Sequence, residues 1–91
     1  MNTMKLYSVR DLKGDYYISP FAMRNNAEAV RAFGDQIRND NAILHFHPAD
    51  FDLVLVGEFD VNTGVVSVLD HVVLANGLDF VSEKKGKNDA K

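Results

Sequence analysis

Ser19-Pro20-Phe21-Ala22-Met23-Arg24-Asn25-Asn26-Ala27-Glu28-Ala29-Val30-Arg31-Ala32-Phe33-Gly34-Asp35-Gln36-Ile37-Arg38 is the stretch from which the fold can be read. It opens as the end of a strand, passes through a cap, and continues as about three turns of helix. Asn25 stands three residues before Glu28, the spacing of a capping box, in which each residue satisfies a free backbone N–H of the other. Ala27, Val30, Phe33 and Ile37 recur at helical spacing and form one apolar face, which needs a sheet to cover it. Glu28, Arg31, Asp35 and Arg38 fall on the opposite face at three- and four-residue spacings, as solvated ion-paired helix surfaces do. Gly34 costs about 1 kcal/mol relative to alanine in an exposed helix; a close approach to the sheet would account for it.

Upstream, Met4 to Arg10 reads as a strand, Lys13-Gly14-Asp15 as a turn, and Tyr16 to Met23 as the return strand. Pro20, which cannot donate to a ladder, places that return strand at an edge. Downstream, Asp50 to Asp70 is a hairpin around Asp60-Val61-Asn62-Thr63-Gly64, with aspartate opening the turn and glycine in the left-handed closing position. Phe51, Leu53, Leu55, Phe59 and Val61 alternate on one face of its first strand, with Gly57 as the gap. Val65 to Leu69 returns, and a short last strand runs from His71 to Ala75. The expected fold is α+β: a small antiparallel β-sheet of two hairpins plus a short strand, packed against one amphipathic helix. Residues 1–81 form one domain, and residues 82–91 form a Lys-rich tail too poor in apolar side chains to order itself. Val54 and Val56 make the first hairpin strand apolar on both sides, so they are the expected interface of a homodimer.

Charge is segregated beneath the net value of −3. Residues 1–38 hold Lys5, Arg10, Lys13, Arg24, Arg31 and Arg38 against Asp11, Asp15, Glu28 and Asp35. Residues 39–82 hold Asp40, Asp50, Asp52, Glu58, Asp60, Asp70 and Asp79 with no Lys or Arg. The acidic total argues against coating nucleic acid through bulk charge but leaves room for one basic face. The chain has no cysteine, which excludes disulfides, thiolate catalysis and cysteine-based zinc sites. No apolar run reaches the ~18–20 residues of a membrane span, and the N-terminus lacks a signal-peptide core, so a cytoplasmic protein is expected.

Tyr7, Tyr16 and Tyr17 are interleaved with Lys5, Arg10, Lys13 and Arg24. Single-stranded nucleic acid binders combine aromatic faces on which bases stack with cations that track the backbone. An amphipathic hairpin with its tyrosines on the core rim would have the same composition. His45 and His47, with Asp50 and Asp52 nearby, have the alternation of a two-ligand strand, but Pro48 bends the path to a third ligand and a surface loop explains them. Asp60-Val61-Asn62-Thr63-Gly64 lacks the later ligands of a calcium loop. With no phosphate loop, nucleophile elbow or carboxylate pair with a companion base, neither an enzyme, a cofactor nor a metal is expected.

Tyr7-Ser8-Val9-Arg10-Asp11, Tyr16-Tyr17, Ser19-Pro20-Phe21, Arg24-Asn25, Ala27-Glu28-Ala29-Val30-Arg31, Phe33, Pro48-Ala49-Asp50-Phe51, Gly57-Glu58-Phe59-Asp60, Thr63-Gly64 and Leu74-Ala75-Asn76-Gly77 follow one another in an order that resembles the small non-structural protein of gokushovirus-type microviruses. Those are tailless phages with small circular single-stranded DNA genomes. The resemblance implies a protein of the infected bacterium's cytoplasm that is left out of the virion. Its implied role is to bind single-stranded DNA or to promote the switch to single-stranded progeny synthesis. An adaptor that recruits or inhibits a phage or host replication protein through the acidic second half is the alternative.

Overall fold

In the computed structural model, which describes residues 2–81, five strands form one antiparallel sheet with a helix on one face. The strands are β1 (Thr3–Asp11), β2 (Tyr16–Tyr17), β3 (Phe21–Met23), β4 (Phe51–Asp60) and β5 (Val66–Asn76). The helix α1 spans Asn26–Arg38, and a short α2 spans Ile43–Phe46 ahead of a 3-10 turn at Pro48–Asp50. Strand order is β2-β1-β4-β5, and β3 pairs with β1. β2 and β3 are the two halves of the expected return strand, divided around Ser19-Pro20, with Ile18 N–H bonded to the Val9 carbonyl between them (2.8 Å). The α+β architecture is the one expected. The stretches Val65 to Leu69 and His71 to Ala75, expected as two strands, are however one continuous β5. The Lys-rich tail expected at 82–91 lies outside the described residues.

The helix begins where the sequence puts it. Asn25 accepts a hydrogen bond from the Glu28 N–H (2.9 Å), satisfying one of the four donors that a helix start leaves free. The Glu28 carboxylate takes the Arg24 guanidinium (2.9 Å). The buried face is Ala29, Phe33, Gly34 and Ile37, with Val30 at its margin; Ala27 is exposed, so the face is turned one step from the expected one. Gly34 lies against the ring of Phe80, which a Cβ would meet at 2.7 Å. The residue that needs this space therefore comes from the helical stretch 78–81 after β5, not from the sheet. At its far end α1 is closed by His45, whose Nδ1 donates to the Ile37 carbonyl (2.8 Å), an acceptor that the helix leaves unpaired.

The core joins Tyr7, Ala29, Phe33, Ile37, Leu44, Phe51, Leu53 and Ala75. Tyr7, Phe51, Leu53 and Leu55 thus face the helix, but this alternation does not run the length of β4. Leu6 pairs with Gly57 while Tyr7 pairs with Leu55, so Val56 is an extra residue on β4. One extra residue reverses which side chains face which side. Beyond it, Lys5, Glu58 and Ser67 continue the helix-side face, whereas Met4, Leu6, Phe59, Val66 and Val68 share the other. The expected single row from Phe51 to Val61 is therefore two rows on opposite faces. Gly57 marks the change, because a Cβ there would sit 2.8 Å from the Ser67 carbonyl oxygen.

Val54 is only 2 % exposed, so the expectation that it lies at a dimer interface is corrected: the monomer already covers it. Val56 is the extra residue and is half-buried. A Gly57→Ala substitution should lower stability by about 1–3 kcal/mol, since the clash is with backbone that cannot move aside. Gly34→Ala should fail to yield the gain of about 1 kcal/mol that the same change gives in an open helix. Urea denaturation midpoints of the two variants test both statements.

Candidate nucleic-acid interface

The seven residues singled out for nucleic acid separate into two groups. β1 holds Lys5, Tyr7 and Arg10, but β3 pairs beside Lys5–Tyr7 and β2 beside Arg10–Asp11. Arg24 follows β3, so Lys5, Tyr7 and Arg24 belong to the end of the sheet where the helix starts. Arg10, Lys13, Tyr16 and Tyr17 gather around the β1–β2 turn. Along β1, Lys5 and Arg10 are about five residues apart, roughly 17 Å.

In the helix-start group, Tyr7 is 0 % exposed. Its ring stacks on Phe21 (centroids 5.8 Å apart) and its hydroxyl donates to Asn26 Oδ1 (2.8 Å). It is a core residue, and base stacking by Tyr7 is ruled out by its enclosure. Burial, reinforced by the Glu28 carboxylate, pushes the Tyr7 hydroxyl pKa above its ordinary 10.0. Lys5 pairs with Glu58 (3.3 Å) and Arg24 with Glu28. Both cations are already balanced within the chain.

The turn group is different. Asp11 shapes the turn by accepting from the Lys13 and Gly14 N–H groups (3.0 and 2.8 Å), and Asp15 occupies the left-handed region at φ 61, which aspartate tolerates better than most residues. Tyr16 and Tyr17 are 56 % and 44 % exposed. As neighbours on a strand they point to opposite faces. Tyr17 lies on the face away from the helix, with the Arg10 guanidinium 5.6 Å from its ring centroid and His71 of β5 packed edge-on at 5.7 Å. Its hydroxyl is 3.4 Å from His71 Nδ1. Arg10 also pairs with Asp15 (2.6 Å), while its buried Nε has no hydrogen-bond partner among the described residues. Lys13 is exposed and takes part in no ion pair among the described residues. The contribution of His71 was not legible beforehand, because it depends on a side-chain contact between β2 and β5, which stand at opposite ends of the strand order.

The acidic second half is largely occupied locally. Asp60 caps its own turn, accepting from Asn62 and Thr63 N–H groups (2.8 and 3.2 Å), and Gly64 takes φ 78. Asp52 accepts from the Asn76 amide (2.8 Å), which also donates to the Ala49 and Phe51 carbonyls (3.2 Å each). Among the described residues no group of three or more His, Asp or Glu side chains is placed to hold a metal, and no helix is long and apolar enough to cross a membrane.

A family model described as Phage ORF5 protein matches residues 4–80, and the chain belongs to that family. No curated protein and no solved structure matches it.

The buried Tyr7 hydroxyl gives a signature in alkali. Its raised folded-state pKa means that its contribution is fully present below the unfolded value of 10.0 and is lost as pH rises through the folded value. Tyr7→Phe should cost about 0.5–1.5 kcal/mol at pH 8 through the lost bond to Asn26. The deficit should shrink above pH 10.0, because only the parent protein then bears the cost of holding this phenol neutral. Urea midpoints of both proteins at pH 8 and in alkali measure the difference, with titrations common to the two cancelling.

Proposed function

We propose that this phage protein is an accessory factor in genome replication that holds single-stranded DNA at the β1–β2 turn, through Arg10, Lys13, Tyr16 and Tyr17. The observation that carries the reading is the pair of exposed neighbouring tyrosines flanked by these two cations at one end of the sheet. Their rings face opposite ways, so a strand wrapping this end stacks one base on each ring, each stack stabilising by about 1–3 kcal/mol. The Arg10–Asp15 pair is no barrier. An exposed ion pair is worth about 0–1 kcal/mol, and a phosphate replaces the carboxylate with a bidentate partner of the same charge.

The reading also agrees with the resemblance to the non-structural protein of gokushovirus-type microviruses, whose genomes are single-stranded DNA. On this view the protein acts in the infected bacterium's cytoplasm, outside the virion, without a catalytic step or cofactor. The footprint is smaller than the seven residues suggested by the sequence, since Tyr7 is enclosed and Lys5 and Arg24 lie at the other end. The adaptor reading keeps one point in its favour: the carboxylates of Asp40, Asp70 and Asp79 are exposed, with no Lys or Arg between residues 39 and 82.

A labelled oligothymidine titrated at several salt concentrations tests the proposal. Two phosphate contacts give a log–log slope near −1.4. Tyr16→Ala and Tyr17→Ala should each weaken binding about 5- to 150-fold, and the double change of Arg10 and Lys13 to alanine should flatten the salt dependence. No binding at about 100 μM protein in 10 mM salt, where two contacts are screened least, would overturn it. If these variants instead leave capture of a replication protein intact while DNA binding is absent from the parent, the adaptor reading stands.

A further inference from the structure

The extra residue at Val56 leaves the sheet with an apolar surface that nothing among the described residues covers. On the face away from the helix, the register brings Met4, Leu6, Phe59, Val66 and Val68 together around Gly57, with Val73 further along β5. Val66, Val68 and Val73 are 62 %, 88 % and 60 % exposed. The opposite face at this level carries Lys5, Glu58 and Ser67. Polarity is therefore inverted relative to the helix-covered part, as it would be if this half of the hairpin had a second core of its own.

We infer that this surface is the seat of a second copy of the chain, packed sheet against sheet in a two-fold dimer. A standard interface takes about 800 Å² from each partner, about 65% of it apolar in homodimers, so about 500 Å² of apolar surface is needed. Three widely exposed valines with the half-buried Met4, Leu6 and Phe59 supply an area of that order. None of the six side chains is ionisable, so a contact that places the patch on itself brings no like charges together at its centre. Gly57 leaves a flat place in the middle of the patch against which a facing side chain can lie.

Packing by faces is favoured over pairing of the β5 edges. Between Gly57 and Leu55 on β4, β5 runs from Val68 to Val72, two residues longer than its partner. A strand that arches out in this way offers no straight ladder to a neighbour. Edge pairing would also leave the valine side chains in water, which removes the reason for associating at all. The interface is thus centred on Leu6, Phe59 and Val68, and not on the expected Val54 and Val56.

Sedimentation equilibrium of the full chain, without nucleic acid, tests the inference at about 100 μM, a concentration at which a dimer of micromolar affinity is almost fully formed. The parent should sediment at twice the 10.2 kDa chain mass. Val68→Lys and Val66→Lys, at positions too exposed to disturb the fold, should each halve that mass with an unchanged circular dichroism spectrum. Val72→Lys, which the register puts on the helix side, should leave the dimer intact. A monomeric parent, or a dimer that survives both Val66→Lys and Val68→Lys, overturns the inference. The inference does not rest on the DNA reading: the assay contains no DNA, and substitutions at the β1–β2 turn leave the patch untouched.

Discussion

The structure depends on one register shift. Between Leu55 and Gly57 a single additional residue passes through β4, and every side chain beyond it changes sides. Had the alternation continued, Phe59 would have extended the helix-side row past the reach of α1. A helix of thirteen residues spans about 20 Å, whereas a ten-residue strand spans about 33 Å, so α1 cannot cover the whole of β4. The shift resolves the mismatch by stopping the helix-side core at the level where α1 begins, and placing a salt-bridged polar pair, Lys5 with Glu58, on the overhang. The apolar residues of the overhang go to the opposite face.

A second constraint ties the helix to the N-terminal hairpin. Tyr7 is held between Phe21 and the first turn of α1, so the strand, its return and the helix start share one buried ring. Burying a phenol this deeply is tolerable because its hydroxyl keeps a partner in Asn26. The same packing explains why three tyrosines of one hairpin have different fates. Tyr7 lies at the level of the helix, while Tyr16 and Tyr17 lie past the break at Ser19-Pro20, where no helix covers them.

Much of this was legible in the residues and some could not have been. The Asp60–Gly64 turn and the helix span depend on neighbours in sequence and stand as read; of the capping box the Asn25 half stands, whereas the Glu28 carboxylate takes Arg24. Ala29 replaced Ala27 on the buried face because a single alanine is too weak a signal to fix the phase of a helix. The role of Gly34 went to Phe80, forty-six positions later, which local spacing does not report. The shift at Val56 was hidden for a related reason: Phe51 to Val61 fits a period of two if Gly57 is taken as a gap, and glycine has no side chain to show which face it is on. Likewise, composition placed Tyr7 among the exposed aromatics, since only the third dimension separates a core tyrosine from a rim tyrosine.

Asn76 carries a consequence for chemical ageing. Asn76-Gly77 is the one Asn-Gly pair in the chain, the dipeptide in which an asparagine amide is most readily lost through attack by the following backbone nitrogen. Here both reactants are committed. The Asn76 side chain donates to Ala49, Phe51 and Asp52 and accepts from the Leu78 N–H, while the Gly77 nitrogen is bonded to the Phe51 carbonyl. The cyclisation that precedes deamidation requires these contacts to open together. Folding thus turns the sequence's most labile amide into a protected one, and its loss on storage would report how often the end of β5 lifts from the start of β4.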